Sequence, residues 1–303
     1  MRKFDWRTIG VLFCLLAGCA KHNEPAPLPA AEYNEIRIMT YNILYSTSNE
    51  ETLNVLKQTG ADIIGLQEAS PARTIELAQK LNYKFHSFSK TSGNLSDQDT
   101  GILSRFPITG FFENGVIIQV NPGLDIAVFT VHLSPYPYEP YDFRDGIITT
   151  PQQAVTSAGG TRLPEIGPVL DEIDVARSSG IPVFLTGDFN EPSFLDWNAL
   201  TSTHHFDKVV EWPVSKTITQ AGLIDVFRTQ FPNPANFPGN TWTTIESANE
   251  VYDRIDIIYQ TDHTKIKLSD IRLVGGLGDA AGITVDGYPS DHYAVVATYS
   301  LLK

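Results

Sequence analysis

From residue 35 onward the chain breaks into short apolar runs, each closed by a polar or turn-forming residue. Ile36 to Ile43 (IRIMTYNI) is β-rich and carries polar Asn42 near its end, which predicts a strand. Glu50 to Thr59 places Leu53 and Leu56 at helical spacing and stops at Gly60, a helix with a C-terminal breaker. Asp62 to Gln67 (DIIGLQ) has the length and continuity of a buried strand. Ser70-Pro71 then opens a second helix, with Ser as N-cap and Pro in the first turn; Ile75, Leu77, Ala78 and Leu81 form its expected buried face. Strands are predicted at Thr100–Ser104, Gly115–Val120 and Leu124–Leu133, followed by a Tyr/Pro-rich loop from Ser134 to Thr150. Pro151 to Ser179 reads as helical, interrupted at Gly159-Gly160 and ended by Gly180. Pro182–Leu185 makes another buried strand, and the C-terminal third gives strands near Thr241–Thr244, Arg254–Tyr259, Lys267–Val274 and Tyr293–Leu301. Strands alternate with helices early and cluster later, without repeat or linker. That order fits one α/β domain with a substantial mixed sheet.

The first 34 residues follow a different pattern. Arg2, Lys3 and Arg7 precede the apolar run Ile9 to Ala17, broken only by Gly10. The run falls far short of the roughly 20 residues of a spanning helix, and a basic start before a short apolar stretch reads as a secretory leader. Asp5 is a mild departure from that pattern. The stretch ends in Leu16-Ala17-Gly18-Cys19, which resembles the lipobox of bacterial lipoproteins. The resemblance implies a leader at 1–18, a lipidated Cys19 and a domain at 35–303. Residues 20–34 are rich in Pro and Ala and read as an extended tether of about 3.1 Å per residue. The expected location is a bacterial cell envelope, lipid-anchored and facing periplasm or exterior, since several acyl chains anchor stably where one does not. The alternative is an uncleaved amphipathic or core segment with a chance cysteine.

Composition narrows the class. The chain has 303 residues, of which 42% are hydrophobic and 19% charged, which excludes disorder, collagen and coiled coil. With 22 Lys+Arg against 35 Asp+Glu the formal charge is −13, which argues against a broad basic face for nucleic acid. A nuclease whose metal ion supplies the local positive charge is not excluded. The two cysteines, Cys14 and Cys19, both lie in the leader region, so no disulfide scaffold is expected. Cleavage before Cys19 would remove Arg2, Lys3 and Arg7 against only Asp5 and leave the mature chain more acidic.

Five polar clusters sit at the ends of apolar strands: Asn42, Glu68, His132, Gly187-Asp188-Phe189-Asn190 and Ser290-Asp291-His292. Polar groups gathered at strand ends are where α/β sheets build sites. Each also has a plain alternative. Asn42 could cap a turn, Glu68 could start a helix, and His132 could be a satisfied core histidine. The tetrad could be a tight turn, and Asp291-His292 a solvated pair before the last strand.

Taken together and in order, Tyr41-Asn42, Gln67-Glu68, Gly187-Asp188-Phe189-Asn190 and Ser290-Asp291-His292 resemble the endonuclease/exonuclease/phosphatase superfamily, the deoxyribonuclease I-like metal phosphoesterases. The resemblance runs from about Ile36 to Leu301. Thr100-Gly101-Ile102-Leu103-Ser104-Arg105-Phe106-Pro107 is similar to the family's strand-turn segment, and Val131-His132 fits the branch with a histidine there. It implies a four-layer sandwich of two mixed, mainly antiparallel β-sheets packed face to face and flanked by helices. It also implies a Mg²⁺-dependent hydrolase of phosphoester bonds, with Mn²⁺ or Ca²⁺ as substitutes. Glu68 is a hard oxygen ligand suited to Mg²⁺, and the family implies Asn42 and Asp291 as its neighbours at the ion. Asp188 is assigned to the attacking water. Asn190, two residues on along an extended segment, faces the same side and, with Asn42, is assigned to the water or a phosphate oxygen. His132 and His292 are assigned to the non-bridging oxygens. For the acid that orients His292, the family pattern of Arg, apolar, Asp, apolar matches Arg254 to Ile257 and selects Asp256, with Asp253 as fallback.

The loop after His132 carries Tyr136, Tyr138, Tyr141 and Arg144. Its aromatics suit stacking on a base, sugar or headgroup, and Arg144 suits either a second phosphate or a surface ion pair. His204-His205 would diverge on a strand or loop and is not read as a metal pair. The leading reading is a monomeric, lipid-anchored hydrolase of a small or compact phosphoester. A secreted nuclease is the first alternative. It is disfavoured because Leu195–Gln230 carries only Lys208, Lys216 and Arg228 as basic residues. A sphingomyelinase-like lipid phosphodiesterase is the second, for which Phe111-Phe112 is a small candidate membrane contact that reads better as packed core. A non-catalytic binding lipoprotein on the same fold would predict a missing ligand or base, yet Glu68, Asp188, Asn190, Asp291 and His292 are all present.

Overall fold

Nineteen of the elements in the computed structural model carry the fold, and the structure describes residues 32–88, 99–276 and 282–302. The leader, Cys14, Cys19 and nearly all of the tether lie outside the described residues. In chain order the first elements are β1 (Glu35–Asn42), α1 (Asn49–Thr59), β2 (Ile63–Gln67), α2 (Pro71–Leu81), β3 (Lys84–Phe88) and β4 (Thr100–Ser104). Next come β5 (Ile108–Phe111), β6 (Gly115–Asn121), β7 (Leu124–His132), α3 (Glu139–Arg144), α4 (Pro151–Ser178) and β8 (Val183–Asp188). The last are α5 (Pro213–Gln220), β9 (Leu223–Asp225), α6 (Val226–Gln230), β10 (Asp256–Thr261), β11 (Ile266–Gly275), β12 (Ile283–Thr284) and β13 (Ala294–Leu301).

These form a seven-stranded sheet ordered β12-β11-β13-β1-β2-β4-β3 and a six-stranded sheet ordered β5-β6-β7-β8-β10-β9. The pairs β1–β2, β7–β8 and β11–β12 are parallel and the rest antiparallel. The sheets share one apolar layer made by Ile36, Ile38, Ile63, Ile102, Val128, Phe184, Ile258 and Val295. The outer face of the first sheet buries Met39, Tyr41, Ile64 and Leu66 under Val55, Leu56, Leu77 and Ala78 of α1 and α2. The outer face of the second buries Phe129, Leu185 and Tyr259 under Ile166, Ile173, Val214 and Ile218 of α4 and α5. This is the four-layer sandwich expected from the sequence.

Local chemistry explains most boundaries. Ser48 and Glu51 form a capping box at α1, and Gly60 ends it with φ of 59°, a left-handed turn that glycine adopts without strain. Ser70 accepts from Arg73 N at 3.3 Å to start α2. Other expectations are corrected. Ile75 is 37% exposed, while Thr74 is buried in its place. Thr74 lies over Gly101, whose own Cβ would meet Thr74 Oγ1 at 2.6 Å, so the small residue on β4 turns the helix toward threonine. α4 runs unbroken through Gly159-Gly160 and even through Pro164 and Pro168. Its buried stripe of Ala154, Ala158, Arg162, Ile166, Val169, Ile173 and Ala176 keeps helical spacing throughout, and that burial outweighs the local breakers.

Ser134–Thr150 is not all loop, since α3 lies within it. Thr241–Thr244 is not a regular strand: only Trp242 bridges, to Asp253 on one side and His292 on the other. The pair Phe111-Phe112 is split rather than packed, with Phe111 64% exposed at a sheet edge and Phe112 against the Phe129 ring at 5.1 Å. The elements β3, β5, α5, β9, α6 and β12 are each eight residues or fewer, too short for a period to stand out from the sequence, and the sequence pattern does not predict them.

Candidate active site

Along five strands the inward-facing positions change character in the same direction. Ile38, Thr40 and Asn42 follow one another on β1; Ile63, Gly65 and Gln67 on β2; Val128, Thr130 and His132 on β7; Phe184, Thr186 and Asp188 on β8; and Ile258 is followed by Asp256 on the antiparallel β10. Side chains on a strand alternate faces, so each series points into the space between the sheets. The apolar layer therefore gives way to a threonine/glycine layer and then to a polar end. In the middle layer Thr40 Oγ1 donates to Gln67 Oε1 at 3.3 Å and Gln67 Nε2 donates to Thr130 Oγ1 at 3.0 Å. Gln67 thus ties the sheets together rather than facing solvent. At Gly65 they approach so closely that a Cβ would lie 2.2 Å from Thr186 Oγ1.

The register sets the polar end. His132 pairs with Asp188 across β7–β8, and Asp188 pairs with Asp256 across β8–β10, so three groups stand in one row. Asn42 arrives from the other sheet and donates from Nδ2 to Asp188 Oδ2 at 3.0 Å and to Glu68 Oε1 at 3.1 Å. Asp188 Oδ2 also lies 3.6 Å from His132 Nε2 and 3.7 Å from His292 Nε2. Those separations are too long for strong hydrogen bonds and leave both imidazoles directed at the same spot. His292 Nδ1 meets Asp256 Oδ2 at 2.8 Å, which fixes the ring from its far side. Ser290 Oγ links the strands by accepting from His292 N at 3.1 Å and donating to Asn42 O at 2.7 Å.

Of the two candidate acids, Asp256 is the one that faces His292. Asp253 points into a separate buried cluster, where it accepts from Trp197 Nε1 at 2.7 Å and Tyr138 Oη at 2.8 Å. Burial drives the Asp253 carboxyl up to about 7. Burial likewise raises the Asp256 carboxyl above the usual carboxylate range, against the pull of His292. Burial alone would lower His292, but the carboxylates of Asp256 and Asp188 outweigh it and hold the imidazolium well above the ordinary histidine range.

Asn190 reaches the cleft by a different route from the one expected. The strand ends at Asp188, and Asn190 turns in through a left-handed backbone with φ of 47°. Its N–H donates to Asp188 Oδ1 at 2.9 Å and its Nδ2 to Leu133 O at 3.0 Å, so it steadies Asp188 and the end of β7 together. Arg144 is not brought to the cleft. It forms an ion pair with Asp145 at 2.7 Å and lies over the Tyr141 ring at 4.3 Å, the surface-pair alternative. His205 lies flat on Trp197 at 4.3 Å and burial lowers it to about 4, while His204 belongs to no metal-type cluster among the described residues.

Glu68, His132, Asp188, Asn190, Asp291 and His292 share one cleft of about 200 Å³. Two features of that cleft suit a divalent cation. Asp291 Oδ1 is buried without a hydrogen-bond partner, an orphaned hard oxygen on the wall shared with Glu68. Asp188, Asp256 and His292 also bring ligand atoms within 4.8 Å of one another, a second group of metal-ligating type. The rest of the lining is aromatic or apolar and includes Leu44, Tyr45, Tyr136, Tyr138, Tyr141 and Trp242; no Lys or Arg among the described residues lines it.

Several contributors are invisible in sequence. Trp242 packs against His292 at 4.8 Å and donates from Nε1 to Tyr141 Oη at 2.8 Å. Thr241 Oγ1 accepts from both Ile255 N and Asp256 N and so aims the start of β10. Both lie in a segment with little regular structure, and only their contacts identify them.

The model of the Endonuclease/Exonuclease/phosphatase family matches residues 39–292. An uncharacterized Caenorhabditis elegans protein is 29% identical over 295 residues, covering 89% of this chain and 92% of that protein. TDP2 from C. elegans superposes with a TM-score of 0.53 at 18% identity over 88% of this chain and 75% of that one. A Leptotrichia buccalis protein described as an endonuclease/exonuclease/phosphatase family protein gives 0.54 at 14% identity, over 88% of this chain and all of that one. Danio rerio TDP2, solved with a single-strand DNA product, gives 0.53 at 17% identity, again over 88% and all of the two chains. At these identities the structures establish the shared fold.

Proposed function

The chain belongs to the endonuclease/exonuclease/phosphatase family and is a metal-dependent phosphoester hydrolase, and we propose that it uses Mg²⁺ to hydrolyse a small or compact phosphoester by direct attack of water. The observation that carries this reading is the convergence of Asn42, His132 and His292 on the single oxygen Asp188 Oδ2. Asp188 takes the proton of the attacking water, and Asn42 and Asn190 hold that carboxylate in place. His132 and His292 donate to the non-bridging oxygens as charge builds there, with Asp256 keeping the His292 imidazolium charged and aimed. Glu68, Asp291 and Asn42 would hold the cation, which supplies Lewis-acid stabilisation of the phosphoryl charge when bound.

A cleft of about 200 Å³ with no Lys or Arg in its lining among the described residues favours a compact substrate over a long polyanion. A nuclease is the second reading, favoured by the DNA product in the zebrafish TDP2 structure. The export pattern ending at Cys19 supports placement of the enzyme at a cell envelope on a lipid anchor. No described helix is long and apolar enough to cross a membrane.

The test is hydrolysis of bis-p-nitrophenyl phosphate, p-nitrophenyl phosphate, sphingomyelin and single-stranded DNA by the purified chain with Mg²⁺ or EDTA, and by Asp188→Ala. EDTA-sensitive turnover that falls at least about 10³-fold in the variant is expected. Turnover that persists in Asp188→Ala sinks the assignment, and a preference for DNA selects the nuclease. Mass spectrometry of the native N-terminus tests the anchor: an unmodified chain beginning before Cys19 refutes it.

A further inference from the structure

We infer that Arg73 is a positioning residue for the metal-binding carboxylate of Glu68, acting through the backbone of Leu44 and Tyr45. The inference rests on the reading that Glu68 holds the ion. Glu68 itself sits in the left-handed region with φ of 58°, just past the end of β2, so no strand pairing fixes it. Its carboxylate is held at both oxygens. Asn42 Nδ2 donates to Oε1 at 3.1 Å and Tyr45 N donates to Oε2 at 2.7 Å. The second donor comes from the segment 43–48 between β1 and α1, where Leu44 is also left-handed, with φ of 53°. Tyr45 is 65% exposed, so its own packing does little to hold that N–H in place.

Arg73, in the first turn of α2, holds it instead. Nη1 donates to Leu44 O and Tyr45 O, both at 3.2 Å, on either side of the Tyr45 N–H. Nη2 donates to Thr47 Oγ1 at 3.0 Å and Thr52 Oγ1 at 3.1 Å, and Nε donates to Asn49 Oδ1 at 3.0 Å. All five N–H donors of the guanidinium are thereby engaged by one loop and the start of α1. Arg73 is half-buried and is not among the cleft-lining residues, so it acts on the loop rather than on substrate. A lysine would keep the charge but lose the planar fork that grips two carbonyls and two hydroxyls at once. Outer groups that orient a metal ligand alter metal affinity by about 10–100-fold when removed.

The experiment measures Mn²⁺ binding to the full chain by electron paramagnetic resonance, with Mg²⁺ competition, for wild type, Glu68→Gln, Arg73→Lys and Asn49→Ala. Melting in EDTA is recorded for each. Glu68→Gln is expected to lose the site. Arg73→Lys is expected to weaken Mn²⁺ at least about tenfold, with melting in EDTA near that of wild type and kcat recovered at raised Mn²⁺. Asn49→Ala, which releases Nε of Arg73 and the Asn49–Glu76 hydrogen bond but leaves both Nη groups engaged, is expected to weaken it less. Wild-type affinity in Arg73→Lys, with the site lost in Glu68→Gln, overturns the role of Arg73 and leaves Glu68 standing. Wild-type affinity in Glu68→Gln overturns both. If Arg73→Lys does not fold, unchanged affinity in Asn49→Ala overturns the inference.

Discussion

Asp256 and Asp253 differ by three positions on an extended segment, and that offset decides which of them serves the cleft. Asp256 stands in register with Asp188 and faces the inter-sheet space, while Asp253 faces Trp197 and Tyr138. The consequence is a testable pH dependence. The carboxylates of Asp256 and Asp188 raise His292 against burial, so the charged imidazolium persists into alkaline pH and is lost as pH rises through its raised value. In Asp256→Asn one of those carboxylates is gone, and the burial that opposes it remains. The alkaline limb of the pH–rate profile should move to lower pH, with kcat falling more than KM rises. A limb unmoved by the substitution would remove Asp256 from the site. Asp253→Asn should leave that limb in place, because Asp253 touches neither His292 nor Asp188.

At the scale of elements, α4 shows burial deciding where local propensity points elsewhere. Its continuity through Gly159-Gly160 places Arg162 one turn beyond Ala158, fully buried, where Nε donates to Ser134 O and Nη1 to Glu139 Oε2, both at 2.9 Å, and Nη2 bonds Pro137 O. A helix on the far side of the six-stranded sheet thus shapes the wall formed by Pro135, Tyr136 and Tyr138. At Gly160 an added Cβ would meet nothing within 4 Å, and the backbone there is not left-handed. Gly160→Ala should therefore stabilise the protein by about 0.4–1 kcal/mol in urea unfolding, since it only restricts the unfolded chain. Gly65→Ala is the opposite case. Its Cβ would collide with Thr186 and Thr130, and a loss of about 1–3 kcal/mol is expected as the sheets are forced apart near the site. If Gly65→Ala unfolds at the wild-type urea midpoint, the sheets are not locked at that distance.

At the scale of the whole molecule, one buried acid links the site loop to the helical layer. Glu191 follows Asn190 and accepts from Val214 N at 2.7 Å in the first turn of α5, whose N-cap Trp212 provides no side-chain bond. Its Oε2 is buried without a hydrogen-bond partner, and burial raises the carboxyl to about 8. The folded protein therefore keeps this proton between about pH 4.5 and 8 while the unfolded chain releases it, so its contribution to stability declines as pH rises through that window. Glu191→Gln should flatten the fall in stability over that range relative to wild type, as read from urea midpoints at about pH 5 and about pH 8. Equal slopes in the two proteins would contradict it.

The sequence alone determined the polarity of each strand face, because alternation in a strand has a fixed period and an inward position can be read without knowing its neighbour. Asn42, His132 and Asp188 were legible as polar groups closing apolar strands, Asp256 was selected over Asp253 by the family pattern from Arg254 to Ile257, and α1 and α2 were legible from helical spacing and their end residues. Sequence could not say that Gln67 would be spent between the sheets, that Arg144 would pair with Asp145, or that Thr241, Trp242 and Arg73 would hold site residues in place. Those outcomes depend on which segments meet across the sandwich. Contact between residues far apart in the chain carries no local period, so only the packed structure decides it.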